Sequence, residues 1–138
     1  MSHTDAIEIV VVGAHLSGMA LNHQLTELGG SLVRSARTAR DYRLYVLPGS
    51  IPPKPGLVRE PGFEGLGDKP GLEVEVWALP PAGFGAFVAA IPAPLGVGKI
   101  TLADGAQVSG FLCEAYALVD APEITQLGGW RAYMAQGV

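Results

Sequence analysis

Glycine and proline recur at short intervals along this chain, and they limit the length of the helices and strands that it can form. The 138 residues include 19 glycines and 11 prolines. The apolar segments between them are short and rich in Val, Ile, Leu and Tyr, a composition typical of strands. We predict strands at residues 7–12, 31–36, 42–47, 72–79, 99–103 and 107–116. The sequence therefore indicates one strand-dominated α/β (α+β) domain over residues 1–138, long enough to bury a single core.

A few short helices and two turns complete the predicted secondary structure. Asp104 and Gly105 favour a tight hairpin turn, because Asp-Gly supplies the positive φ angles that such turns require. A second hairpin turn is predicted at residues 38–41. Candidate helices lie at residues 19–28, 84–91 and 123–136, the last interrupted by Gly128 and Gly129.

Residues 48–71 carry six prolines among many glycines, which is unsuited to a helix or a central strand. We interpret this segment as a loop. A loop of this length inside a compact domain is usually either a linker or a wall of a functional site, and the sequence leaves both open. Because strands flank it on both sides, it is not a domain boundary.

Charge and hydropathy exclude several classes of partner. The chain has 9 basic and 13 acidic residues and a net charge of -4, whereas binding to a nucleic acid backbone needs a basic surface. Apolar runs end before the roughly 20 residues needed to cross a bilayer. The single cysteine, Cys113, cannot form an internal disulfide, and the N-terminus resembles no secretory signal. We expect a cytoplasmic protein that binds neither nucleic acid nor membrane.

The sequence contains no familiar catalytic, nucleotide-binding or zinc motif, and we expect no metal and no cofactor. The three histidines, His3, His15 and His23, lack the spacing of metal ligands. His3 is a terminal residue and His23 is expected at the surface or at a helix cap. His15 differs because it follows Gly13 and Ala14 at the end of a predicted buried strand, where free N–H groups can hold an anion. From spacing alone, His15 is either a functional or a structural histidine.

Six stretches of the chain occur in this order: GAHLSGMALNHQLTELGG, ARTARDYRLYVLPG, EVEVWALP, IPAPLGVGKITLADG, VSGFLCEA and GGWRAY. Together they resemble successive blocks of the C-terminal domain of allophanate hydrolase, from about residue 9 to residue 135. The resemblance implies a fold of the γ-glutamylcyclotransferase-like type, a small mixed β-barrel with a few short helices.

Two hallmarks of that fold group bear on chemistry. A YGSL-type turn holds the substrate carboxylate in cyclotransferases, and Gly13, Ala14, His15 and Leu16 occupy that turn here. The second hallmark, a glutamate base, would fall at or next to Pro92, and no Asp or Glu occurs between Glu75 and Asp104. Proline cannot act as a base, so we expect this chain not to be a γ-glutamylcyclotransferase.

The resemblance implies instead a decarboxylation associated with a hydrolase in urea catabolism. A separate amidase would release ammonia from allophanate and leave N-carboxycarbamate, a small dicarboxylate-like dianion, for this domain to decarboxylate. His15 is then the proton donor, since its ordinary pKa suits proton transfer near neutrality. The alternative is a non-catalytic carboxylate-binding or interaction module that partners a separate amidase. The sequence leaves open whether the chain forms a homo-oligomer.

Several further residues are either candidates for the site or ordinary structural and surface residues. Arg34, Arg37, Arg40 and Arg43 recur every three residues, but strand-like neighbours argue against a helix and favour solvated surface charge. Arg43 and Tyr45 share one strand face and are candidate substrate contacts or ordinary core and surface residues. Glu75 orients a donor or forms a salt bridge. Arg59 is a lid residue or a solvated charge, and Trp77 and Trp130 indicate core packing.

Overall fold

The structure is a computed structural model that describes residues 5–49, 51–65 and 70–136. His3 lies outside these ranges. The strands are β1 (Ile7–Val11), β2 (Ser31–Arg37), β3 (Tyr42–Leu47), β4 (Lys54–Arg59), β5 (Glu73–Leu79), β6 (Leu95–Thr101) and β7 (Gln107–Cys113). The α-helices are α1 (His23–Thr26), α2 (Pro81–Ala90) and α3 (Trp130–Gln136), and 3-10 turns span Ala115–Leu118 and Thr125–Leu127.

Five strands form a mixed sheet in the order β2-β5-β1-β7-β6. All neighbours are antiparallel except β1 and β7, which run parallel with Ile9 opposite Ser109. The central strand β1 ends in a continuous buried run, Ile9, Val10 and Val11, because it has a neighbouring strand on each side and the core over it. Its carboxyl end therefore delivers the chain from the core directly into the segment that begins at Gly13.

The two outer strands of this sheet approach each other at one end. An isolated bridge joins Thr38, just after β2, to Leu102, just after β6. The Ala39 N–H donates to Thr101 O at 2.9 Å and the Ala103 N–H donates to Arg37 O at 2.8 Å. The mixed α+β class is thus confirmed. The sheet does not close into the expected barrel, because an isolated bridge and no continuous ladder links its two outer strands in the described residues.

Strand β4 corrects the prediction that residues 48–71 are a loop throughout. It forms a two-stranded antiparallel hairpin with β3, and Pro55 lies opposite Val46. Proline is tolerated there because a two-stranded ribbon has two edge strands, so its missing N–H need not remove a ladder hydrogen bond. The hairpin turn predicted at residues 38–41 is also wrong. This segment carries the chain from the five-stranded sheet, which contains β2, to the ribbon, which contains β3.

The remaining local predictions agree with the structure except in length. The turn between β6 and β7 is the predicted hairpin, with Gly105 at a φ of 91°. Helix α2 begins at Pro81, where a missing N–H costs nothing. Within 19–28 only the four-residue α1 is helical, and α3 starts after Gly128 and Gly129. Trp77 and Trp130 are buried in the core, as expected. In the described ranges no helix is long and apolar enough to span a bilayer.

Candidate functional site

A cavity of about 600 Å³ opens where β1 ends. Its walls come from the segment after β1, from the chain around α1, from the start of β4, and from α2 with the residues that follow it. Apolar side chains predominate, including Val12, Leu21, Phe87, Leu95 and Phe111. The polar or charged side chains that line it are His15, Gln24, Glu27 and Lys54. An apolar cavity with a few polar groups is the usual form of a small-molecule site.

The segment Gly13–Leu16 forms a tight turn that leaves backbone donors free. The Leu16 N–H donates to Gly13 O at 3.0 Å, and the Leu21 N–H donates to Ala14 O at 2.8 Å. The N–H groups of Gly13, Ala14 and His15 have no acceptor within the described part of the protein. Gly13 and Ala14 are buried and all three residues line the cavity. Since buried N–H groups in native proteins are almost always hydrogen-bonded, these donors fit an anion or ordered water.

Close packing of β4 against the turn explains the glycine at position 13. A Cβ atom on Gly13 would overlap the ring of Pro55. The absence of a side chain therefore lets β4 approach the turn, and Lys54 and Pro55 become part of the cavity wall. The predicted loop thus contributes a wall of the candidate site, which was one of its two interpretations.

The His15 ring is half-buried and held by two contacts. Its Nε2 lies 2.7 Å from Gln24 Oε1, and its ring packs edge-on against Phe87 with centroids 4.9 Å apart. Burial lowers the pKa of His15 below its usual 6.5; the Gln24 contact opposes this, while the neighbouring charges of His23 and Lys54 add to it. The imidazole is therefore neutral at pH 7, with Nε2–H donating to Gln24.

Glu75 lies in β5 beneath the turn and holds it in place. Its carboxylate accepts hydrogen bonds from the Ser17 N–H at 2.8 Å, the Ser17 Oγ–H at 2.6 Å, Trp77 Nε1–H at 3.0 Å and Arg131 Nη2–H at 2.9 Å. Burial alone raises the pKa of Glu75, but these four donors outweigh it and lower the pKa to about 2. Arg131 also donates to Ser17 O and to Glu73. The structure thus places Glu75 behind the turn and outside the cavity lining.

Arg43 and Tyr45 lie in β3, away from the cavity lining. Arg43 forms ion pairs with Glu60 at 2.9 Å and Glu123 at 2.8 Å, and its guanidinium stacks on the Phe63 ring at 3.9 Å. Tyr45 is half-buried and forms an isolated backbone bridge with Glu123. In the structure, Arg43 and Tyr45 are therefore ordinary surface and partly buried residues, and neither lines the cavity.

Leu16 and Arg59 also have partners other than the cavity. The Leu16 side chain is fully buried in the core and its N–H is bonded within the turn. Arg59 pairs with Asp41 at 3.0 Å and donates to Thr101 Oγ1 at 2.9 Å. The structure therefore brings together Gly13, Ala14 and His15 from the predicted site residues. It adds Lys54 and Gln24, which no local motif marks.

The match to known proteins agrees with this architecture. The family model described as "Allophanate hydrolase C-terminal domain" matches residues 7–135. This chain belongs to the allophanate hydrolase C-terminal domain family. The urea amidolyase of Lachancea kluyveri is 35% identical in an alignment 138 residues long that covers 97% of this chain and 7% of that protein. The chain thus spans a small part of this curated relative.

Two solved structures of similar sequence share the fold. Allophanate hydrolase of Kluyveromyces lactis matches with a TM-score of 0.85 and 34% identity, over 99% of this chain and 22% of that one. A uropathogenic E. coli-specific protein matches with a TM-score of 0.83 and 35% identity, over 100% of both chains. This second chain is therefore similar to the present one along its whole length.

A more distant likeness concerns the fold alone. An AIG2-like mouse protein, also named ggact, matches with a TM-score of 0.61 and 15% identity, over 87% of this chain and 86% of that one. The expectation of a γ-glutamylcyclotransferase-like fold is confirmed. Pro92, at the position expected for the cyclotransferase glutamate, lies in the cavity wall. Across the described ranges, no three His, Cys, Asp or Glu residues are grouped to hold a metal ion.

Proposed function

We propose that this domain decarboxylates N-carboxycarbamate, the product of an allophanate amidase, with His15 as proton donor. One observation carries the proposal: the N–H groups of Gly13, Ala14 and His15, which have no acceptor among the described residues, lie in the same cavity wall as the His15 ring. Such a cradle suits a carboxylate, because several N–H dipoles converge where a negative charge can replace solvent. Leu16 contributes the shape of the turn, since its own N–H is already used.

The neutral state of His15 makes proton donation depend on the ligand. In the free protein, burial keeps the imidazole uncharged. A dianion in the cavity adds nearby negative charge, which favours the imidazolium and raises the pKa of His15. Since Nε2–H is held by Gln24, Nδ1–H is the proton available for transfer. Substrate binding and protonation of His15 are therefore coupled.

The chemical step then balances as follows. The bond between the nitrogen and one carboxylate carbon breaks, its electron pair goes to nitrogen, and the carboxylate leaves as CO2. The nitrogen takes the proton from His15, so the dianion becomes carbamate with a single negative charge, and His15 regains a proton from solvent. Without protonation the electron pair would remain as unstabilised charge on nitrogen. The apolar side chains around the site strengthen these electrostatic interactions by limiting water.

The substrate has to come from an amidase, and we propose that residues outside these 138 supply that activity, on a separate subunit or on a larger assembly. We place this reaction in the cytoplasm. The name of the Lachancea kluyveri relative, urea amidolyase, supports a role in urea breakdown. A homo-oligomer is compatible with this arrangement.

Reconstitution with a purified allophanate amidase tests the catalytic role. A general acid contributes about 10²- to 10⁴-fold to the rate, so His15→Asn is expected to slow catalysed CO2 release by that order while release of the first ammonia stays unchanged. His23→Asn is the matched control, because His23 is an exposed histidine at the start of α1. Circular dichroism and malonate binding verify that both variants are folded with an intact cradle.

A second function, carboxylate binding without chemistry, is favoured by the neutral imidazole of the free protein. In that case the domain holds or channels the intermediate for its amidase partner. If folded His15→Asn still binds malonate and releases CO2 as fast as the parent, the histidine is structural and this second function replaces the first.

A further inference from the structure

Lys54 is a positively charged residue of the cavity wall that has no role in the proposed reaction. It is the first residue of β4, is half-buried, and lines the same cavity as the Gly13–His15 turn. Within the described residues it is the only Lys or Arg in the cavity wall. Packing of Pro55 against Gly13 holds the start of β4 beside the turn. The backbone of Lys54 is therefore held beside the turn, and its charge lies close enough to His15 to help lower the pKa of that imidazole.

The charge of Lys54 is not neutralised by the described part of the protein. Arg34, Arg43, Arg59 and Arg131 each have an acidic partner within 4 Å, whereas Lys54 has none. Glu27 also lines the cavity, but it is exposed to solvent and forms no ion pair with Lys54. A half-buried ammonium beside apolar side chains is stabilised when an anion approaches it.

We propose that Lys54 binds the second carboxylate of a dianionic ligand and so makes the cavity selective for dianions over monoanions. The inference rests on the proposed function, in which the Gly13–His15 cradle holds the first carboxylate. Two anion-binding groups on two different elements match a ligand with two carboxylates on a short skeleton. A monoanion uses the cradle alone and gains nothing specific from Lys54.

Calorimetric titration with malonate and with its monoamide, malonamate, tests this selectivity, because the two ligands share a skeleton and differ in charge. Lys54→Met is expected to weaken malonate binding by about tenfold or more, the effect of losing one charge-assisted contact. Malonamate binding stays unchanged, so the preference for the dianion disappears. Lys54→Arg keeps the charge and the preference.

Lys99→Met provides the matched control for net charge, since Lys99 is exposed in β6 and donates to Ser109 Oγ. It is expected to leave both affinities unchanged. Thermal melts verify folding, and Lys54→Gln replaces Lys54→Met if the apolar side chain unfolds the protein.

Different results would overturn the role of Lys54 and the proposed function. If the parent binds malonate and a folded Lys54 variant without charge binds it equally well, the role of Lys54 is overturned while the cradle stands. If the folded parent binds neither ligand, the carboxylate cradle itself is absent, and the proposed function falls together with this inference.

Discussion

At the scale of single residues, the environment of His15 decides what the side chain can do. A histidine after a glycine turn is chemically ordinary until burial, Gln24 and Phe87 set its protonation and orientation. Burial lowers its pKa, so the free protein holds a neutral imidazole and the charge has to be induced. In the proposed reaction, ligand binding and proton uptake by His15 are therefore coupled.

Proton uptake on ligand binding follows from this coupling. The pKa of His15 lies below 6.5 in the free protein. A bound dianion is expected to raise it, so the complex should hold more protons than the free protein near neutral pH. Malonate affinity is therefore expected to increase as the pH falls from about 8 to about 7, where malonate itself stays dianionic. The measurement is calorimetry in buffers of different ionisation enthalpy.

Two variants make that measurement specific. His15→Asn removes the titrating group and is expected to bind malonate with the same enthalpy in every buffer. His23→Asn keeps the buffer dependence, although His23 contributes to the electrostatics of His15. A parent protein whose binding enthalpy is independent of buffer would contradict induced protonation of His15.

At the scale of elements, the turn after β1 is held from two sides. On one side, β5 supplies Glu75, whose carboxylate receives both donors of Ser17. On the other side, β4 packs Pro55 against Gly13. Glu75 lies outside the cavity, and Pro55 lines it without a polar group. Together the two contacts fix the path of the backbone that carries the N–H groups of Gly13, Ala14 and His15. The geometry of the site therefore depends on strands that are distant from it in sequence.

Gly13→Ala tests the contact between the turn and β4. The added methyl group overlaps the Pro55 ring, and overpacking of this kind costs about 1–3 kcal/mol in the free energy of unfolding. Because β4 must move, malonate affinity is expected to fall as well. Denaturant unfolding and calorimetry measure the two effects.

Gly85→Ala is the control, since a Cβ at this position in α2 meets no atom within 4 Å. Alanine in a helix interior is expected to stabilise by about 0.5–1 kcal/mol and to leave malonate binding unchanged. Equal unfolding energies and equal affinities for Gly13→Ala and the parent would show that the close approach of β4 is dispensable.

At the scale of the whole molecule, the likeness of fold extends further than the likeness of sequence. The AIG2-like mouse protein has the same fold at 15% identity, a level at which the likeness concerns architecture alone. Arg131 in α3 completes the Glu75 network from 114 residues beyond Ser17 in sequence, so the C-terminal segment helps to hold a turn near the N-terminus. The turn that lines the cavity therefore depends on contacts with residues far from it in sequence.

Absence of γ-glutamylcyclotransferase activity is expected of the purified domain. The segment between Glu75 and Asp104 contains no carboxylate, and Pro92 lies in the cavity wall near the position of the missing base. Release of 5-oxoproline from a γ-glutamyl dipeptide should stay at background. A γ-glutamylcyclotransferase of known activity serves as the assay control, and turnover that disappears in Gly13→Ala would contradict the prediction.

Local sequence patterns determined a substantial part of this protein. The β1 strand, the Asp104–Gly105 hairpin and the break before α3 all depend on residues adjacent in the chain, so propensity and turn chemistry predict them. The order of family blocks indicated the fold, which the comparison confirmed. The Gly13–Ala14–His15 turn was also identified as a candidate site, because a glycine that ends a buried strand is visible in sequence.

Only the tertiary structure decided which distant residues meet that turn. Lys54 lies in a segment whose prolines indicate a loop, and it reaches the cavity because β4 pairs with β3 and packs on Gly13. Glu75 and Arg43 are charged residues of the kind found in binding sites, but their charged groups already have partners. The Glu75 carboxylate is hydrogen-bonded by Ser17 and Arg131, and the Arg43 guanidinium pairs with acidic neighbours. Long-range strand pairing and the resulting burial set the partners of these residues. Strand pairing and burial cannot be predicted from the residues that are adjacent in the chain.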